Sequence, residues 1–131
     1  EKLRRNPRKL EILGDGTQKK SYLHVYDAVN ATIHLFRRIL GEKREYDVYN
    51  IGSRDWVEVR EIARIVVEEM GLSNVELVYV KTTPDGRGWP GDVKFMLLDI
   101  SRLLETGWRP RWSSREAVRK TVRELLGKEA R

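Results

Sequence analysis

The sequence predicts one small domain of the α/β class with mixed α+β character, and three observations support this. The chain has 131 residues, the usual length of one domain or of part of a larger one. Hydrophobic residues make up 40% of it, enough for a core at this length. Segments in which apolar residues alternate are interspersed with segments in which they recur every three or four residues. Strands and helices that alternate along a chain indicate this fold class.

The first half of the chain predicts three extended segments and one long helix. Apolar and charged residues alternate at 10–12, and the Gly-Asp-Gly sequence at 14–16 predicts a turn after this strand. A second extended segment is expected at 21–25. Helical spacing of apolar residues then predicts a helix over 25–40. Residues 46–51 are expected to form a strand.

The next part predicts a helix, a strand and a loop. Apolar residues recur at helical spacing over 59–70, and Gly71 is expected to end this helix in a left-handed conformation. The apolar, β-branched residues at 75–80 predict a well-buried strand. Prolines and glycines predict a loop at 82–91, and 93–98 is expected to be extended.

The C-terminal part predicts two helices. Asp99 is expected to cap a short helix that ends at Gly107. The last helix should begin at Ser113, because Ser113 and Glu116 form the Ser-x-x-Glu pattern of a capping box.

Composition and charge narrow the classes of function. The chain has no cysteine, which excludes disulfides, thiolate nucleophiles and iron–sulfur clusters and fits a cytoplasmic protein. Its charged composition also fits a thermophilic source. No apolar run approaches the roughly 18 residues of a membrane-spanning helix, so no membrane partner is expected. The net charge of +6 is concentrated at the two ends, which keeps a stand-alone basic nucleotide- or RNA-binding module as an alternative. Solvated basic faces are the commoner cause, so nucleic acid is not the expected partner.

The chain lacks the residue patterns that most catalytic and cofactor sites require. No glycine-rich sequence lies between a predicted strand and a predicted helix, as a dinucleotide-binding turn requires. His24 and His34 are ten residues apart, and neither has a carboxylate at metal-ligand spacing. Apolar neighbours favour a buried core or hinge role for His24. We therefore expect no catalytic residue, no metal site and no cofactor site in this chain.

Two glycine-bearing loops contain the unusual polar chemistry. In residues 14–24, glycines let the backbone approach a ligand and Lys20 can present its ammonium group to a phosphate. In residues 85–93, Arg87 lies between glycines, and a large aromatic residue and Asp92 follow it. This set could clamp a diphosphate and accept protons from sugar hydroxyls. Each loop alone is also typical of a surface turn.

Five motifs follow one another in a characteristic order. They are the Gly-Asp-Gly turn with its Gln, Lys and Tyr-Leu-His residues at 14–24, Tyr-Asn-Ile-Gly-Ser at 49–53, Val-Arg-Glu-Ile at 59–62, Gly-Asp-Val at 91–93, and Asp-Ile-Ser with Gly-Trp-Arg-Pro at 99–101 and 107–110. Together they cover about residues 3–126. The chain resembles the substrate-binding, C-terminal part of extended short-chain dehydrogenases/reductases. The most similar members are NAD-dependent nucleotide-sugar epimerases and dehydratases of the UDP-glucose (galactose) 4-epimerase type.

The resemblance implies a nucleotide-sugar site built from eight residues. These are Glu11, Ile12, Leu13, Lys20, Tyr22, Val59, Arg87 and Asp92. The strand at 11–13 would lie beside the nucleotide base, largely through its backbone, and Val59 would pack near the base. Asp92 would bind the ribose.

The diphosphate contacts depart from the family pattern. Lys20, with Tyr22 close by, would contact the pyrophosphate, but the family usually has arginine there and aspartate where Ser21 stands. Lysine offers a point charge rather than a bidentate fork. The arginine that clamps the diphosphate usually precedes the loop aspartate by three residues, where this chain has Trp89. We expect Arg87 to take that role through a shifted loop.

The resemblance also implies a domain organisation. Residues 1–126 would form the nucleotide-sugar-binding C-terminal domain of a longer enzyme, and residues 127–131 a tail. The Rossmann domain that binds NAD and the catalytic Tyr-x-x-x-Lys pair would lie upstream, as a chain that starts at Glu1 also suggests. This chain alone would then be inactive.

The implied cofactor, substrate and domain partner are NAD, a UDP-sugar and the N-terminal Rossmann domain. A homodimer of the full-length enzyme is left open. An apolar surface should be exposed where the N-terminal domain docks. A dehydratase or decarboxylase on the same scaffold is the nearest alternative.

Overall fold

The computed structural model describes residues 1–42 and 45–129. The helices are α1 (Lys2–Arg5), α2 (Val25–Glu42), α3 (Val59–Glu69), α4 (Ser101–Glu105) and α5 (Ser114–Leu125). The strands are β1 (Lys9–Leu13), β2 (Lys19–Lys20), β3 (Val57–Glu58), β4 (Glu76–Val80) and β5 (Phe95–Met96). Among the described residues, no helix has both the length and the apolar character needed to cross a membrane.

The strands form two small sheets that meet at a glycine turn. β1 and β4 pair in parallel, with Lys9 opposite Glu76. In the second sheet β2 is central, antiparallel to β3 and parallel to β5. Gly14 and Gly16 lie between β1 and β2 with φ angles of 89° and 76°, in the left-handed region that favours glycine. A Cβ atom at Gly14 would lie 2.1 Å from Gln18 Nε2, so no larger residue fits there without rearrangement.

Two apolar clusters pack the helices together. They consist of Ala31, Leu35, Ile100, Leu103 and Trp108, and of Val57, Ile65 and Val118. The first cluster packs α2 against α4, and the second packs α3 against α5. The predicted capping box begins α5: Ser113 Oγ accepts from the Glu116 amide, and Glu116 Oε2 accepts from the Ser113 amide at 2.8 Å.

Several predicted elements are confirmed. The predicted helix 25–40 is α2, and the predicted helix 59–70 is α3. Gly71 follows α3 with a φ of 67°, as expected of a helix terminator. The predicted short helix is α4, but its N-cap residue is Ile100 rather than Asp99. Asp99 precedes the cap, and its carboxylate accepts from the Ser101 amide at 2.9 Å.

The predicted strand at 46–51 is wrong. None of its residues belongs to a described strand, and Tyr46 and Val48 are 83% and 69% exposed. An extended segment becomes a strand only when a neighbour takes up its backbone hydrogen bonds, and no described strand lies beside it. β3 forms instead at Val57–Glu58 because those residues pair with β2.

Two further strand predictions need correction. The extended segment expected at 21–25 is displaced: β2 is Lys19–Lys20, and Val25 already begins α2. β4 matches the predicted strand at 75–80 in position, but it is not well buried. Its residues are half-buried or exposed because β1 is its only partner strand among those described.

The first residues beyond α5 contact the helices. Lys128 Nζ donates to the carbonyl of Glu69, and the Glu129 carboxylate pairs with Arg123 at 2.7 Å and Lys120 at 3.3 Å. Residues 130–131 of the predicted tail lie outside the described residues. The boundary at residue 126 stays a prediction.

Candidate functional site

An open cleft with a volume of about 530 Å³ lies between β1, α3 and the loop that carries Trp89 and Asp92. Seven of the eight residues implied by the resemblance line this cleft: Glu11, Ile12, Leu13, Lys20, Tyr22, Val59 and Asp92. These residues come from separate segments of the chain. Arg87 is not among the lining residues.

One wall of the cleft is an apolar face of α3. Ile62, Ala63 and Val66 of α3, and the C-cap residue Met70 that follows it, recur at helical spacing and line it. Sequence reasoning assigned only Val59 from this helix. The pattern that marks a cleft wall is the same as the pattern of a face packed on the core, and Ile65 of the same helix does pack there.

The free edge of β1 borders the cleft. The Arg8 carbonyl accepts from the Glu76 amide at 2.9 Å, and the Gly14 amide donates to the Val80 carbonyl at 2.7 Å. In a parallel pair, successive residues point their backbone groups to opposite edges, so Glu11 and Leu13 point away from β4. The carbonyls of Glu11 and Leu13 accept from Lys2 Nζ and Gln18 Nε2, both at 3.1 Å. The two amide N–H groups point to the same edge and can donate to a ligand.

The two glycine-bearing loops contact each other. The Asp15 amide donates to the Gly86 carbonyl at 2.8 Å. The Asp15 carboxylate accepts from Lys94 Nζ at 2.7 Å and from Thr17. Burial alone would raise the pKa of Asp15, but these donors outweigh it and lower the pKa to about 2. The turn is therefore held by an ionised carboxylate at neutral pH.

Asp92 is the polar centre of the cleft. Its Oδ1 accepts from Lys20 Nζ at 2.8 Å, and its Oδ2 accepts from the Gly88 amide at 3.1 Å and from Gln18 Nε2 at 3.4 Å. Burial alone would raise the pKa of Asp92, but these three donors together hold it below its usual value of 3.8. Lys20 also donates to the Val93 carbonyl. Asp92 therefore orients Lys20 and neutralises most of its charge.

Arg87 lies on the same side of the molecule as Lys20 but outside the cleft. Its Nη1 donates to the Asp92 carbonyl at 3.3 Å, and its Nε donates to Asp85 Oδ2 at 2.6 Å. Trp89 lines the cleft from this loop instead. The diphosphate clamp by Arg87 stays a prediction, and it requires the side chain to leave Asp85.

Tyr22 is fixed from behind by α5. Its amide donates to Ser114 Oγ at 3.0 Å, and Ser114 Oγ donates to the Asp55 carbonyl at 2.9 Å. Burial raises the pKa of the Tyr22 phenol above its usual value of 10. Sequence reasoning missed Ser114 as a support because it lies 92 residues away, inside the capping pattern of α5.

His24 does not belong to the cleft. It is buried, its Nε2 lies 3.3 Å from Glu124 Oε2, and its ring packs edge-on against Trp112. This matches the expected core histidine. Within residues 1–42 and 45–129, no three His, Cys, Asp or Glu side chains gather in a way that could hold a metal ion.

Comparison with known proteins gives consistent matches. A model of the NAD dependent epimerase/dehydratase family matches residues 1–52. GDP-L-fucose synthase 1 of Arabidopsis thaliana is 33% identical over 110 residues, which are 84% of this chain and 31% of the relative. The crystal structure of a UDP-galactose 4-epimerase is 41% identical with a TM-score of 0.80, and the match covers 97% of this chain and 38% of that one. The UDP-glucose 4-epimerase of Thermotoga maritima, solved with UDP-glucose, is 27% identical with a TM-score of 0.69 and matches 91% of this chain and 35% of its own.

The chain spans about a third of the length of these relatives. Its mixed α/β fold superposes on the matching part of the epimerase structures over nearly its whole length. The fold class and the family resemblance are both confirmed. Residues 1–52 match the NAD dependent epimerase/dehydratase family, and nearly the whole chain is similar to the corresponding part of a UDP-galactose 4-epimerase, an extended short-chain dehydrogenase/reductase.

Proposed function

We propose that this chain is the substrate-binding portion of an NAD-dependent nucleotide-sugar epimerase, and that its cleft binds the UDP part of UDP-glucose or UDP-galactose. The observation that carries the proposal is the cleft, which gathers seven expected contact residues from separate segments. The 41% identity with a UDP-galactose 4-epimerase favours UDP over GDP. A GDP-sugar substrate is the alternative that the fucose synthase relative supports. A dehydratase or decarboxylase reaction on the same scaffold is the other alternative.

Different walls of the cleft can contact different parts of a nucleotide. The Glu11 and Leu13 amides can donate to carbonyl oxygens at the edge of a base, and the apolar face of α3 can cover its ring. Lys20 uses two donors on Asp92 and Val93, which leaves its third proton for a phosphate oxygen. This binding acts on parts of the substrate that are remote from the reacting sugar carbon.

The described residues do not fit a dinucleotide. The Gly14–Gly16 turn joins two strands, whereas a dinucleotide turn joins a strand to a helix whose N-terminus faces the pyrophosphate. In this proposal NAD is bound by the remaining part of a longer protein. The present chain orients and holds the substrate, and no chemical step is assigned to its side chains.

The partner that supplies the rest of the site would cover α2. Five large apolar side chains form one stripe along this helix and are 43% to 62% exposed: Val25, Val29, Ile33, Phe36 and Leu40. Contiguous apolar surface of this kind is typical of an interface. The segment at 46–51, which belongs to no described strand, adds the exposed side chains of Tyr46 and Val48. We assign this face to the NAD-binding domain of the same protein.

A substitution on this stripe should change stability little in the present chain but lower it in the full-length protein. Phe36→Glu should leave the free energy of unfolding of the present chain within about 0.5 kcal/mol of the wild type, because the site is exposed. In the full-length protein it should cost about 2 kcal/mol or more, because a charge would be buried in an interface. Arg37→Glu, on the neighbouring exposed position, is the control and should be tolerated in both. Denaturant unfolding of the four variant proteins and the two wild types is the measurement, and an equal, small effect of Phe36→Glu in both contexts contradicts the docking assignment.

Calorimetric titration tests the binding proposal. UDP and UDP-glucose should bind the chain, and GDP should bind more weakly. Met96→Glu places a negative charge at the rim of the cleft and should weaken UDP binding by repulsion from the diphosphate. Phe95→Glu is a matched control, since adjacent strand residues point to opposite faces and the two positions are 53% and 44% exposed. Equal loss of affinity in both variants, or no heat with either UDP ligand, contradicts the proposal.

A further inference from the structure

Trp89 is an exposed aromatic side chain at the edge of the cleft. It lines the cleft and is 53% exposed. The other three tryptophans are engaged: Trp108 is buried, Trp112 packs on His24, and Trp56 contacts Phe95 and Lys19. Among the described residues, no ring or cation contact engages Trp89. Burying an exposed indole is favourable, so a ligand bound in the cleft would gain affinity by packing against it.

The backbone that carries Trp89 is held on both sides. The Gly88 amide donates to the buried Asp92 Oδ2 at 3.1 Å, and the Asp92 amide donates to the Trp89 carbonyl at 3.0 Å. The Gly88 carbonyl accepts from Thr82 Oγ1. A fixed backbone limits the directions that the indole can take. Little ordering entropy is then lost when a ligand covers it.

The loop also places Trp89 at the end of β1. A Cβ atom at Gly88 would lie 3.3 Å from both Cβ and O of Leu13, so this backbone packs directly on the last residue of the strand. Leu13 is one of the two residues whose amide points to the free edge. A planar group that accepts hydrogen bonds from this edge would therefore lie close to the residue that carries the indole.

We infer that Trp89 stacks on the nucleobase of the bound nucleotide while the free edge of β1 contacts the base edge. This inference rests on the proposed function. A nucleobase has both a π face and acceptor atoms in the plane of the ring, whereas a phosphate has no such face and the face of a pyranose presents C–H groups rather than a π system. Because Asp92 neutralises Lys20, the cleft offers little net charge to a diphosphate, and stacking supplies affinity that charge does not.

Fluorescence and calorimetry together test the inference. UDP should quench the tryptophan fluorescence of the chain, and Trp89→Phe should abolish the quenching but keep most of the affinity, because an aromatic ring remains. Trp89→Ala should raise the Kd for UDP by about 5- to 150-fold, the usual range for losing one base–aromatic stack. Trp56→Phe is the matched control, since Trp56 is not among the residues that line the cleft, and it should preserve both quenching and affinity.

The possible results separate the two proposals. Glucose 1-phosphate, which has a sugar but no base, should not quench, and quenching by it equal to that by UDP overturns the assignment to the base. Unchanged UDP affinity in Trp89→Ala overturns the role of Trp89 and leaves the proposed function standing. No UDP binding to the wild type overturns the proposed function, and the stacking role falls with it.

Discussion

Replacing Asp92 with alanine should lower the free energy of unfolding by about 3–5 kcal/mol, the usual cost of removing one partner of a buried ion pair. The side chains of Asp92 and Lys20 are both largely buried and lie 2.8 Å apart. Without the carboxylate, the Lys20 ammonium loses its counter-charge and the Gly88 amide loses its acceptor. Urea unfolding measures the loss. Nucleotide binding should weaken as well, because Asp92 orients Lys20 and the Trp89 loop.

A control in the same loop distinguishes the loss of the buried ion pair from a general destabilisation of the loop. Asp85→Ala removes a carboxylate that pairs with Arg87 at the surface, and it should destabilise the chain far less than Asp92→Ala because solvent screens this pair. Equal destabilisation by Asp85→Ala and Asp92→Ala contradicts the account.

The effect of Asp92 should also depend on pH. The pKa of Asp92 is lower in the folded protein than its usual 3.8, so its contribution to stability is present above that value and is lost as the pH falls through the lowered pKa. The difference between wild type and Asp92→Ala should therefore be largest near neutral pH. It should shrink at pH values below about 4.

Replacing Leu103 with alanine should cost about 2–5 kcal/mol and leave nucleotide binding unchanged. Leu103 is fully buried in the cluster that packs α2 against α4, and it does not line the cleft. The lost side chain leaves a cavity that its neighbours, including Trp108, fill only in part. Thermal and urea unfolding report the cost, and UDP calorimetry below the transition reports binding.

Leu125→Ala is the control for this substitution. Leu125 is exposed at the end of α5, so its removal should change stability by less than about 0.5 kcal/mol. A Leu103→Ala protein that is stable but no longer binds UDP contradicts the separation of core and cleft.

Local patterns account for the elements that the sequence predicts correctly. α3 has a strong helical period and a glycine terminator, and α5 has a capping box whose atoms are within four residues of each other. The segment at 46–51 has equally good strand residues, but a strand is completed by a neighbour distant in sequence. A pattern within six residues carries no information on that neighbour.

In the site, too, local motifs predict some features, whereas contacts between residues distant in sequence decide others. Lys20 and Asp92 fall on family motifs, and the two side chains pair in the cleft. Arg87 and Trp89 are two residues apart, and which of them faces the cleft depends on Gly88 packing against Leu13 and on the Asp92 carboxylate accepting from the Gly88 amide. The first contact joins residues more than 70 positions apart, and the second folds the loop back on itself. The spacing of the motif therefore could not predict which of the two side chains faces the cleft.

A titration of the isotopically labelled chain with UDP, followed through its amide and indole NMR signals, tests the whole account most directly. The shifts should concentrate on the Glu11 and Leu13 amides, the Lys20 and Asp92 region and the Trp89 indole. Addition of RNA should produce no comparable pattern. If UDP moves none of these signals while RNA shifts the basic residues at 109–123, the cleft is not a nucleotide-sugar site, and this chain is a basic binding module instead.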